Sequence, residues 1–153
     1  MVRRRSLFGI ILGAFAPAPK PYSIVGKASA YGPETYRTGN TTAAGLSFDF
    51  VAGPKLIGIA HRWLPKGITV AVDIPPQQDA WGKGLREHGA LVWTKVVDRG
   101  PYVAGREFDL TVGLLRHIGF FDPGWTNFFG PNSEEEAALE WGIKRTIKVH
   151  VFP

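Results

Sequence analysis

The sequence predicts a mainly β domain, a closed barrel of about six short strands with one or two short helices and an N-terminal extension. Three observations lead there. Nineteen glycines and twelve prolines in 153 residues divide the chain into short elements joined by turns. Several stretches alternate apolar and polar residues and are rich in Val, Ile and Thr, the pattern of half-buried strands. Helical start and stop signals, in contrast, occur in only two places. With 44% hydrophobic and 20% charged residues, a chain of this length can bury a real core.

Residues 1–21, "MVRRRSLFGIILGAFAPAPKP", form the extension: three arginines, an apolar run from Leu7 to Ala16, then small residues and prolines. The run is too short to span a bilayer. An export signal and an arm that joins a larger assembly both fit its layout. Residues 22–153 are assigned to the barrel. "SIVGKASAYG" alternates and predicts the first strand, and "PETYRTGNTTAAG" is a polar loop. A short apolar strand around Leu56–Ala60 precedes His61 and a Pro-Lys-Gly turn. "ITVAVDI" (68–74) is a further strand, "PPQQDAWGKGLREHG" a long polar insertion, and "ALVWTKVV" (90–97) the strand that ends on Asp98.

"DLTVGLLRHIGF" predicts a short helix. Thr111 or Asp109 can cap its start, Leu114, Leu115 and Ile118 form its apolar face, and Gly119 fits the position after its end. An aromatic, turn-rich stretch follows, "FDPGWTNFFGPN". "SEEEAALEWG" is a second helix signal, with Ser133 and Glu136 spaced as a capping box. "IKRTIKVHVF" closes the chain as a strand, with Ile143, Ile147, Val149 and Val151 apolar.

Several function classes lose support at this stage. The net charge of +5 suggests nucleic acid, but Arg3, Arg4, Arg5 and Lys20 all fall in the first twenty residues, leaving 14 basic against 13 acidic side chains in the remainder. A phosphate-tracking stripe would need clustered charge in the body. Without cysteine there is no disulfide, thiolate metal site or thiol nucleophile. The histidines His61, His88, His117 and His150 lack metal-ligand spacing, so neither a metal nor a cofactor is expected. There is no Gly-x-Ser-x-Gly elbow.

Two residues remain as candidates for chemistry. Asp98 ends a strand and is followed by the turn Arg99-Gly100-Pro101. It is either an ordinary turn aspartate bonding nearby amides, or an acid held at the rim of a cleft where burial raises its pKa. His61 also ends a strand before a turn. Two such residues in a small barrel can converge on one face.

The segments "GKASAYG", "TTAAG", "IAHRWLPKGITVAV" and "VVDRGPYVAGREFDLTVGLLRHIG" occur in an order that resembles the signatures of rare-lipoprotein-A-like proteins. These are double-psi β-barrels related in fold to expansins and family-45 endoglucanases. The resemblance runs from about Gly26 to Gly119 with two insertions, and its Asp-Arg-Gly-Pro and His-x-x-Leu-Pro elements are specific in combination. It implies a lytic transglycosylase that cleaves between N-acetylmuramic acid and N-acetylglucosamine in peptidoglycan strands and leaves 1,6-anhydro ends. Such chemistry needs one acid/base group, because the attacking hydroxyl belongs to the sugar. The resemblance puts Asp98 at the catalytic aspartate and His61 at the active-site histidine. Arg99 and Tyr102, with Tyr31 and Thr42, would contact substrate, and Asp109 would fix the following helix.

The family's glutamate after Thr-Ala-Ser-Gly is Leu46 here, with Asp49 a candidate substitute. Its loss, the extension and the added aromatic loop at 120–132 support an alternative: a non-catalytic glycan-binding or structural barrel in a larger assembly, such as the particle of a virus that breaches a bacterial wall. Trp63, Trp81, Trp93 and Trp125 offer sugar-stacking faces, with core packing the expected role of most. Peptidoglycan is thus the expected partner, at the bacterial envelope, in the periplasm or outside the cell. No specific nucleic acid and no spanning helix are expected.

Overall fold

The computed structural model describes residues 17–31, 56–78, 80, 82–120 and 145–153. Six strands lie within them: β1 (Tyr22–Tyr31), β2 (Ile59–Ala60), β3 (Thr69–Ile74), β4 (Ala90–Asp98), β5 (Phe108–Thr111) and β6 (Arg145–Phe152). They close into a barrel in the order β1-β5-β2-β4-β3-β6. β1 runs parallel to β5 and β2 parallel to β4, while the other four pairings are antiparallel. The two parallel pairings interlock the halves of the chain, as the double-psi resemblance implies.

The period of two in the sequence sets the core. In β6, Ile147, Val149 and Val151 point inward and are almost wholly buried, while Thr146 and Lys148 on either side of Ile147 are exposed. β3 contributes Val70, Val72 and Ile74, β1 contributes Ala28 and Ala30, and β5 contributes Phe108 and Leu110. Phe108 is fully buried, and its truncation to alanine would cost about 3–5 kcal/mol.

Two stretches fold differently from their sequence reading. "DLTVGLLRHIGF" is not helical from Asp109. Phe108–Thr111 is a strand, and the helix α2 (Val112–His117) begins after it. Thr111 is the cap, its hydroxyl accepting the Leu114 amide at 3.1 Å. The same hydroxyl donates to the Leu56 carbonyl and accepts from the Gly58 amide, which ties β5, α2 and the entry to β2 into one unit. The polar insertion, in turn, contains a short helix, α1 (Lys83–His88). Its single apolar anchor, Leu85, is buried in the barrel core, and the Leu85 carbonyl accepts the Gln77 amide at 3.1 Å, closing the insertion on itself. The arm over 1–16, the loop at 32–55, the aromatic loop and the second helix signal lie outside the described residues. Among the described residues, no helix is long and apolar enough to cross a membrane.

Candidate active site

The end of β4 and the start of β5 flank the two-residue strand β2. Ala60 is registered against Asp98 on one side and against Asp109 on the other. Two strand spacings put the two aspartate backbones about 9–10 Å apart. Between them stands Ala60, the smallest side chain with a Cβ, which is buried and packs with Tyr31 and Leu56. A register shift between Ile59 and Ala60 brings Asp98 level with Ala60. On the far side of Asp109 is Ser29 of β1, again in register, and its hydroxyl donates to Asp109 Oδ1.

Asp98 is 4% exposed, and its Oδ1 accepts the Arg99 amide at 2.8 Å. The backbone then turns through Gly100 at φ +123°, a region where a side chain is strained, which accounts for the glycine at this point of the turn. Asp109 is half-buried. Burial is the main force raising its pKa; the Ser29 hydroxyl and Arg106 pull it down, and the negative charge of Asp98 pushes it up. The net shift is upward, so Asp109 keeps its proton to higher pH than an ordinary carboxyl.

His61 is fully buried. Its Nδ1 accepts the amides of Trp63 at 3.3 Å and Leu64 at 3.2 Å, so the ring proton resides on Nε2, which donates to Glu107 Oε1 at 2.9 Å. Burial lowers the His61 pKa and outweighs the attraction of Glu107. The imidazole is therefore neutral, with both nitrogens engaged. Glu107 Oε2 also accepts from the Arg62 guanidinium at 3.3 Å. The groups that bear on the His61 charge are Glu107, Arg62 and Arg99. This places His61 in a second cluster, beside the aspartate pair and joined to it by the bond from the His61 amide to the Asp98 carbonyl at 3.2 Å.

Arg99 reaches across the turn. Its guanidinium donates to the Leu64 carbonyl at 2.6 Å and the His61 carbonyl at 3.4 Å, clamping the His61–Leu64 loop to the Asp98 turn. Tyr102 is 83% exposed beyond that turn. Tyr31, in contrast, is buried and packs with Ala60 and Leu56 against the outside of the barrel. Thr42, Leu46 and Asp49 lie outside the described residues.

Comparison with known proteins finds relatives of one kind. The probable endolytic peptidoglycan transglycosylase RlpA of Aquifex aeolicus is 36% identical over 107 residues, which is 68% of this chain and 38% of that protein. The barrel belongs to the RlpA-like family. The endolytic peptidoglycan transglycosylase RlpA of Yersinia pestis is 37% identical over 93 residues, 61% of this chain and 21% of that protein. A probable RlpA of Synechocystis is 37% identical over 102 residues, covering 67% of this chain and 26% of its own. The chain thus spans well under half the length of the curated relatives it matches. No protein-family profile matches the chain.

Within this RlpA-like barrel the sequence reading needs three corrections. Asp109 does not fix the helix. It is a strand residue facing Ser29, and the alternation Phe108-Asp109-Leu110, inward-outward-inward, was the signal that marks it. Glu107 carries no local mark in the sequence, because it meets His61 across 46 positions. Trp63 and Trp93 are not core residues but are 59% and 61% exposed. Trp93 lies against Phe152 with centroids 4.7 Å apart; Trp81 and Trp125 lie outside the described residues.

Proposed function

We propose that this barrel is a lytic transglycosylase that cleaves peptidoglycan glycan strands at the bacterial envelope or outside the cell, with Asp109 and Asp98 as its paired carboxylates. The observation that carries the reading is the placement of both aspartates level with Ala60 on adjacent strands. Asp109, which burial makes slower to give up its proton than an ordinary carboxyl and which is half-open to solvent, donates that proton to the bridging oxygen as the C1–oxygen bond breaks. The Asp98 carboxylate offsets the positive charge that develops at C1. The sugar's own C6 hydroxyl then attacks C1 and passes its proton to the Asp109 carboxylate, closing the 1,6-anhydro ring and restoring the starting state. Two carboxyls with unlike environments thereby take unlike roles. His61, neutral and buried, acts as a positioning residue. The relatives' names support the substrate class, and none of these relatives is named as a particle component.

The test is incubation of the protein with purified peptidoglycan sacculi and mass spectrometry of the released material. Muropeptides with 1,6-anhydro ends are expected from wild type and are lost in Asp109→Asn. Absence of anhydro product from wild type, with sacculi still co-sedimenting the protein, would leave a glycan-binding barrel instead.

A further inference from the structure

We propose that Trp63, Arg62 and Glu107 form a saccharide subsite beside the aspartate pair, with His61 as the residue that assembles it. This rests on the glycan-cleaving reading for its substrate, but on separate residues. Burying a large apolar side chain favours folding, yet the Trp63 indole is left 59% exposed. It is nonetheless held in place. The His61 ring meets it edge-on, with centroids 4.7 Å apart and an interplanar angle of 85°, and His61 Nδ1 accepts the Trp63 amide. A perpendicular contact of this kind covers at most one face of the exposed indole, and a flat apolar face packs against the C–H face of a pyranose.

Beside it stand a donor and an acceptor. Arg62 is nearly half exposed and Glu107 about a quarter, and their 3.3 Å pairing leaves a neutral, partly wet unit. Such a pair can donate to and accept from the hydroxyl and acetamido groups of an N-acetylhexosamine without demanding a charged ligand. His61 holds both parts, Trp63 through Nδ1 and the ring edge and Glu107 through Nε2–H. The Arg99 clamp on the His61 and Leu64 carbonyls locks the subsite to the turn that carries Asp98. A rigid link of this kind is what a second sugar-binding position in the same strand requires.

The experiment is isothermal titration of the full chain, in an Asp109→Asn background that stops turnover, with purified glycan strands stripped of stem peptides. Trp63→Ala is expected to weaken binding about tenfold, the scale of losing one aromatic anchor, and Trp63→Phe to recover most of it. Because Trp63 is exposed, an unchanged melting temperature in Trp63→Ala confirms that the loss is local. Equal affinity of Trp63→Ala and its parent, or no binding by the parent, overturns the subsite. A turnover assay separates this from the proposed activity. Anhydro product with an unchanged KM in Trp63→Ala would sink the subsite and spare the enzyme. Trp63-dependent binding without any anhydro product would do the reverse.

Discussion

Asp98 and Asp109 are both in register with Ala60, one on β4 and one on β5, so the two-residue strand β2 stands between the two aspartates. Asp109 responds to this neighbour. The charge of Asp98 is among the forces holding its proton in place. If Asp109 is the proton donor, Asp109→Asn should lower the rate of anhydro-product release by about 10²–10⁴, the usual contribution of a positioned acid, while binding to sacculi persists. Release at the wild-type rate would exclude it from that role.

The same pairing predicts a pH effect. The donor works while protonated, so the rate falls as pH rises through the raised Asp109 pKa. Replacing Asp98 by Asn removes a charge that raises this pKa. The alkaline limb of kcat/KM should therefore move to lower pH, in addition to any loss of rate. Ser29→Ala removes a hydrogen bond that favours the carboxylate, so its alkaline limb should move to higher pH. Shifts in the same direction for both variants would contradict the assignment.

How far the sequence disclosed this arrangement can be judged element by element. β1, β3, β4 and β6 are long enough for alternation to mark them, and their bounds fall within two residues of the expected ones. β2 is only two residues, and four-residue β5 runs straight into α2, so the apolar pattern of Phe108 to Leu115 blends two periods and reads as one helix. Asp98 and His61 are marked by their position before turns. Their separation into two clusters depends on register and on the long contact to Glu107, neither of which is written locally in the chain.

Glu107 reaches His61 over a gap in β1. A Cβ on Gly26 would stand 2.5 Å from the Glu107 Cβ, a separation that side chains do not tolerate. Gly26→Ala should therefore destabilise the barrel by about 1–3 kcal/mol, the range for overpacking. In a Glu107→Gly background the offending atom is gone, and the same substitution should cost measurably less. A double-mutant cycle by urea denaturation reads the coupling; strict additivity would mean that the close approach is absent.

His61 makes stability depend on pH in a defined direction. Its folded pKa lies below the ordinary histidine value of 6.5, so the unfolded chain binds the proton more readily. Stability from this group is complete above 6.5 and is lost as pH falls from 6.5 through the depressed folded value. Burial is the main cause, and a second ring proton would also have to sit on Nδ1, where the Trp63 and Leu64 amides already donate. Thermal denaturation of wild type and His61→Gln should therefore converge on acidification, with wild type more stable at neutral pH. Glu107→Gln adds a check. Among the described residues it is Glu107 that raises the His61 pKa, so in this variant protonation, and the stability loss that goes with it, should move to still lower pH. A wild-type melting temperature that rose between pH 7 and 5 relative to His61→Gln would mean that the buried imidazole is charged, and the neutral tautomer that organises Trp63 and Glu107 would have to be abandoned.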